Sequence, residues 1–292
     1  MKTILVDGFN LAFHAYYAMP GLTRKSDGFP LGAIYGWIRM LWRLQDQEKP
    51  DRLLVFFDKD GSTRHLALHP EYKANRSETP PDLAQQLPEL RRVTALLGFP
   101  VLEQSGVEAD DLIASAAKVL EAAGETVLIA SADKDFAQCV TDKVGLLVPA
   151  RQPKGGWQQL DAEGVFEKFA VRPEQIVDYL ALIGDAVDNI PGLSGVGPKT
   201  AARWLDRYGN IDGLLAAREE VVPERFREIL QGAEEMLSLN RRLIAFCTDF
   251  SGDWLAEGKC DPVGARSFLT EMKMDSTLKE FEKRAGNQLE LF

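Results

Sequence analysis

Three short apolar runs constrain this chain more than any other feature. Thr3–Val6, Leu53–Phe57 and Thr126–Ala130 are strand-length, and each gives way within three residues to an aspartate: Asp7, Asp58 and Asp133. Between them lie helix-period patterns: Phe9–Met19, then Leu31–Gln47 with Ile34, Trp37, Ile38, Leu41 and Leu44 on one face. A further helical stretch, Asp82–Leu97, is interrupted by Pro88 and reads as kinked or as two pieces. Gly98–Leu102 and Val144–Val148 add short strands. Strands alternating with helices predict an α/β fold with a mostly parallel central sheet flanked by helices. Ligands of such sheets bind at the carboxyl ends of the strands, so three aspartates at three ends predict one shared site. From about Asp161 onward the pattern is helical with no clear strand. The expected organisation is therefore an α/β core over 1–160, bounded after the loop Arg151–Gly156, a helical region over 161–285 and a tail over 286–292.

More acids converge on that edge. Gly106-Val107-Glu108-Ala109-Asp110-Asp111 precedes the apolar positions Leu112, Ile113, Ala116, Ala117 and Leu120 and starts a helix. Asp110 falls on the border of its buried face, Asp111 points elsewhere, and Glu108 joins from the preceding turn. First-turn acids ordinarily favour the helix dipole. A carboxylate turned toward a core, however, is costly unless something pairs with it. With Asp7, Asp58, Asp133, Asp135, Asp185 and Asp188, the set reaches nine acids. Like charges gathered so closely need neutralising. Oxygen-only ligands with few histidines suit two Mg²⁺ or Mn²⁺ ions rather than Zn²⁺. Two such ions about 4 Å apart serve phosphodiester displacement.

Two basic elements flank the acids. Gly192-Leu193-Ser194-Gly195-Val196-Gly197-Pro198-Lys199 is a glycine turn before a helix, whose N-terminus favours an anion. Lys199, Arg203 and Arg207 follow at four-residue spacing as a basic stripe, so 185–208 looks like a helix–hairpin–helix that grips DNA backbone. The second element, Thr63–Arg76, begins just after Asp58 and carries Arg64, His65, His69, Tyr72, Lys73 and Arg76. Cations there suit a scissile phosphate, and Tyr72 suits base stacking. His14, His65 and His69 are too dispersed for a zinc site.

Val6-Asp7-Gly8, Phe57-Asp58, Pro70–Arg76, Gly106–Asp111, Ser131–Phe136 and Gly184–Ala201, in this order, resemble the bacterial 5′-nuclease family. That family comprises the 5′→3′ exonuclease domain of DNA polymerase I and its flap endonuclease relatives. The resemblance spans about residues 1–260 and implies a PIN-like nuclease core with a helical arch near 64–88, through which a single-stranded 5′ end passes. It implies that Asp7, Asp58, Glu108 and Asp110 hold mainly one ion, and that Asp111, Asp133, Asp135, Asp185 and Asp188 serve the other, directly or through water. Lys73 and Arg76 would act at the scissile phosphate, Asp110 would be the pivotal ligand, and Arg64 and Tyr72 would contact DNA. Gly195, Gly197, Lys199, Arg203 and Arg207 would hold the duplex, with K⁺ bound by backbone carbonyls of the hairpin. No polymerase follows, so a stand-alone, active nuclease is expected.

The final residues Gln288-Leu289-Glu290-Leu291-Phe292 look like the bacterial sliding-clamp peptide; Gln288, Leu289, Leu291 and Phe292 would be the anchors. The net charge of −10 averages over the molecule and does not exclude DNA. No apolar run is long enough for a membrane span, the N-terminus lacks a signal-peptide core, and three scattered cysteines form no framework. The expectation is a cytoplasmic, nucleoid-associated monomer acting on DNA flaps, nicks and 5′ ends, RNA primers among them. Two rivals remain: a non-catalytic branched-DNA binder recruited by the clamp, and a metal-dependent phosphatase.

Overall fold

The apolar runs assemble as their pattern implies. A computed structural model of the chain describes residues 1–150 and 156–289. It begins with β1 (Lys2–Asp7), α1 (Gly8–Ala18), α2 (Gly32–Glu48), β2 (Arg52–Phe56), α3 (Thr63–Leu68), α4 (Pro81–Ala84) and α5 (Leu87–Leu96). Next come β3 (Val101–Leu102), α6 (Ala109–Ala122), β4 (Thr126–Ala130), a 3-10 turn over Lys134–Cys139, β5 (Val144–Pro149), β6 (Trp157–Leu160) and α7 (Ala162–Phe169). The remainder comprises α8 (Ile176–Ile183), β7 (Gly184–Asp185), β8 (Ile190–Pro191), α9 (Pro198–Tyr208) and α10 (Ile211–Ala216). It closes with α11 (Arg225–Leu230), α12 (Glu234–Ile244), α13 (Pro262–Glu271) and α14 (Asp275–Leu289).

The main sheet has the order β3-β2-β1-β4-β5-β6, parallel except for β6. Residues alternate across it: Leu5 packs on one face with α6 and the later helices, while Ile4 and Val6 face α1, α2, α5 and α13. Asp7 is registered with Phe56, and Val6 with Ala130. Three neighbouring strands therefore deliver Asp7, Asp58 and Asp133 to one edge.

One helical expectation is settled between its two alternatives, and three need adjustment. Asp82–Leu97 is two pieces, because Gln85 and Gln86 separate α4 from α5 and Pro88 sits in the first turn of α5, where its missing N–H costs nothing. The stretch 64–88 is not a continuous helix; it holds α3, α4 and the start of α5, with turns and extended chain between them. Pro70, Pro80 and Pro81 deny it a continuous helix. The region after Asp161 does contain strands, the antiparallel β7–β8 pair. Finally, α14 continues to Leu289, so 286–289 is helix rather than free tail. Phe281 is buried, and Arg284 is tied to Asp46, which explains how that helix is held to the body. Leu291 and Phe292, and most of the boundary loop at 151–156, lie outside the described residues.

Candidate active site

Local chemistry fixes each strand-end acid. Asp7 caps α1, accepting from the Asn10 N–H at 3.1 Å, while its other oxygen accepts from Ser131 Oγ at 2.7 Å. The strand-to-helix turn needs Gly8, because a Cβ there would come within 2.5 Å of the Phe56 carbonyl and 2.6 Å of the Phe57 ring. Asp58 accepts from the Ala109 N–H at 2.9 Å, joining β2 to the start of α6. Asp60 holds the preceding turn through Ser105 Oγ at 2.6 Å and the Gly106 N–H at 2.5 Å, and so presents Glu108. Asp133 accepts from the Asp135 N–H at 2.9 Å, opening the 3-10 turn. Asp7, Asp58, Asp110 and Asp133 line a cleft of about 890 Å³ together with Lys73 and Arg76.

The acids strain against one another. Burial, with Asp133 and Asp58 nearby, pushes Asp7 up to about 7 despite its two hydrogen bonds. Burial beside Asp133 takes Asp135 up to about 8. Asp110 is raised well above the ordinary carboxylate range by burial and by Asp7 and Asp133. Burial also raises Asp58 and Asp133. Asp135 Oδ1 is buried with no hydrogen-bond partner. Three cations of the chain answer other acids: Lys73 Nζ to Glu108 at 2.5 Å, Arg76 to Asp188 at 2.7 Å and Lys134 to Asp185 at 2.7 Å. At Asp185 burial acts upward, but the Lys134 ammonium and two backbone N–H groups outweigh it and the carboxyl ends below its usual value. Among the described residues no three acidic, imidazole or thiol groups converge closely enough to ligate one ion directly. Mg²⁺ tolerates such spacing, because it retains several waters and uses few carboxylates.

Known proteins with this arrangement decide its family. The model of the 5′-3′ exonuclease N-terminal resolvase-like domain matches residues 2–170, and that of the 5′-3′ exonuclease C-terminal SAM fold matches residues 171–259. The chain belongs to the 5′-3′ exonuclease family. A 5′-3′ exonuclease of Aquifex aeolicus is 38% identical, with all of both chains covered. The thermostable DNA polymerase I of Thermus thermophilus is 39% identical over 96% of this chain, which spans only 33% of that protein. In fold, a zinc-bound T5 5′-exonuclease matches with a TM-score of 0.69 at 24% identity, covering 97% of this chain and 98% of the other. A bacteriophage T5 flap endonuclease with DNA and metal ions gives 0.68 at 23% identity, covering 97% and 98%.

In this 5′-3′ exonuclease family member the acid set is smaller than expected. Asp111 leaves it: the side chain is 1% exposed, accepts from the Cys247 N–H at 2.7 Å and lies 4.0 Å from Arg64. It looks along α6 toward the end of α12 because its neighbour Asp110 takes the cleft-facing direction. Arg64 leaves the DNA-facing set too, donating to the Arg242 carbonyl at 2.8 Å and to the Ala245 carbonyl at 3.4 Å. Those orphan carbonyls at the C-terminus of α12 attract a cation. Tyr72 cannot stack on a base: His65 lies parallel to its ring at 4.5 Å, the Lys73 ammonium is 4.8 Å from its centroid, and its hydroxyl reaches Glu108 and Asp188. His65 keeps an ordinary polar role, bonded to Ser62 and to the Leu243 carbonyl.

Three residues gain importance that sequence reasoning missed. Ser131 links two acids, donating to Asp7 and accepting from the Asp133 N–H at 3.0 Å. Lys134 neutralises Asp185. Asn10 lines the cleft at the third position of α1. A polar residue directly after a buried strand, or one turn into the helix after an Asp-Gly, is the signal that could have found Ser131 and Asn10. The stretch 185–208, expected as a helix–hairpin–helix, holds most of the β7–β8 pair, the Gly192–Gly197 loop and one helix, α9; the preceding helix, α8, ends before it at Ile183. Gly195 takes φ +72°, Gly197 is the N-cap of α9, and a Cβ on Gly192 would lie 2.2 Å from the Ile183 carbonyl. Lys199, Arg203 and Arg207 are exposed along α9; Arg207 stands 3.8 Å from Glu220.

Proposed function

We propose that the cleft is the active centre of a divalent-metal-dependent nuclease that hydrolyses phosphodiesters at DNA flaps, nicks and single-stranded 5′ ends. One observation carries this reading: mutually repelling acids at the strand ends line one cleft together with Lys73 and Arg76, and Asp135 beside Asp133 keeps a buried oxygen with no hydrogen-bond partner. An acid wall alone would repel a phosphate, and a basic wall alone would bind it without activating water. Asp7, Asp58, Glu108 and Asp110, together with Asp133, Asp135, Asp185 and Asp188, are the residues that would hold two Mg²⁺ or Mn²⁺ ions. Such ions supply an activated nucleophile and stabilisation of the leaving oxygen. Lys73 and Arg76, drawn off Glu108 and Asp188, would stabilise charge on the scissile phosphate. The α9 stripe would hold the duplex by its phosphates without reading bases, with K⁺ at the hairpin.

The same reading divides the chain into a nuclease core over 1–160 and a DNA-holding helical region over 161–285. It places the 5′ strand beneath 64–88 and gives the final residues Gln288–Phe292 to the sliding clamp, the protein acting as a monomer. The test is cleavage of a 5′-flap duplex in Mg²⁺ by wild type and by Asp110→Ala. Product from wild type alone is expected. Equal cleavage by both would remove the assigned site, and binding with no product from either would favour a non-catalytic binder.

A further inference from the structure

We propose that Asn10 is a catalytic residue whose side-chain amide nitrogen donates a hydrogen bond to a non-bridging oxygen of the phosphate being cleaved, an assignment that rests on the nuclease reading above. The orientation of its amide is fixed by chemistry. The Ala132 backbone N–H donates to Asn10 Oδ1 at 2.9 Å, so the oxygen must be on that side and the NH₂ on the other. Its own backbone N–H is held by Asp7. The residue is thus tied at both ends, on the first turn of a rigid helix, while its Nδ2 has no protein partner among the described residues. It lines the cleft beside Asp7, Asp58, Asp110 and Asp133.

Those four neighbours are all acceptors when ionised, and a phosphate adds further acceptors. The cleft is therefore short of fixed donors. Lys73 and Arg76 supply charge from long side chains that already serve Glu108 and Asp188. Asn10 supplies what they do not: a neutral donor that needs no reorganisation during reaction. Neutrality suits its place. A lysine at this position would repel the cations required by Asp7, and another carboxylate would repel the phosphate.

The test is single-turnover cleavage of a 5′-flap duplex carrying either oxygen or one of the two phosphorothioate diastereomers at the scissile position. Asn10→Ala removes the donor; Asn10→Asp removes it but keeps an acceptor for the Ala132 N–H, guarding against loss of fold. Both variants are expected to slow cleavage about 100-fold, the scale for one transition-state donor. DNA affinity in EDTA and calorimetric Mn²⁺ affinity of Asn10→Ala should match wild type. Sulfur at one non-bridging position should slow wild type more than Asn10→Ala. Wild-type rates in both variants, identical sulfur effects in wild type and Asn10→Ala, or a rate loss matched by lost Mn²⁺ affinity would each overturn the assignment alone. A wild type that cuts nothing would overturn the nuclease reading and the assignment with it.

Discussion

At the scale of single residues, the cleft acids trade stability for readiness to bind cations. A carboxyl raised from 3.8 to about 8, as at Asp135, holds a proton in the folded state that the unfolded chain releases at much lower pH. Between these values the folded state binds more protons, so the contribution of this group to stability falls as pH rises. Asp135→Asn should therefore gain stability over wild type in EDTA, by a margin that widens from about pH 4 to pH 8. Thermal unfolding across that range checks it; a margin constant with pH would show that Asp135 is not raised. Asp110 and Asp111 make a sharper contrast. Asp110→Ala should lose Mn²⁺ affinity while folding normally. Asp111→Ala should keep that affinity but lose about 1–3 kcal/mol of stability, because the Cys247 N–H is left without its acceptor. Calorimetry and denaturant unfolding of the pair decide it, and equal loss of Mn²⁺ affinity would restore Asp111 to the ligand set.

At the scale of elements, the hairpin and α9 carry the charge that a net −10 conceals. Lys199 and Arg203 have no ion-pair partner among the described residues, which leaves both available to phosphates. Replacing both with Ala should weaken duplex binding whatever the sequence, and should reduce the salt slope of log K by about 0.9 for each contact. An unchanged slope would show that α9 faces away from the duplex. The elements were also where sequence reasoning was strongest. Buried parallel strands need continuous apolar runs, so β1, β2 and β4 with their terminal aspartates were legible directly, as was the glycine turn before α9. Arg64, Tyr72 and Asp111 were not, because each is claimed by a partner far along the chain. Arg64 meets carbonyls near residue 245, and Asp111 meets the Cys247 N–H, 136 positions away. Side-chain type and local spacing announce that a group is polar, but not which distant backbone atom will satisfy it.

At the scale of the molecule, α14 packs beside α2 and α13 on the sheet face opposite α6, held by the Arg39–Glu280 and Arg284–Asp46 pairs. The described part of α14 is thus held to the body by residues that do not line the cleft. Removing Gln288–Phe292 should abolish sliding-clamp association in a pull-down while sparing cleavage of short flaps; retained association would dismiss the peptide. The two matched regions are not joined only by a connection. Lys73 N donates to the Asp188 carbonyl at 3.1 Å, Asn75 Nδ2 to Asn189 Oδ1 at 2.8 Å, and Asn189 Nδ2 to the Glu71 carbonyl at 2.8 Å. That stitching has a temporal consequence for a chain made from its N-terminus onward. The acids of the sheet edge emerge from the ribosome long before Asp185–Asn189, so the bonds from Lys73 N and Arg76 to Asp188 cannot form until more than half the protein exists. Long sequence separation of this kind slows folding, and here it also delays completion of the cleft until the first part of the later, helical region has been synthesised.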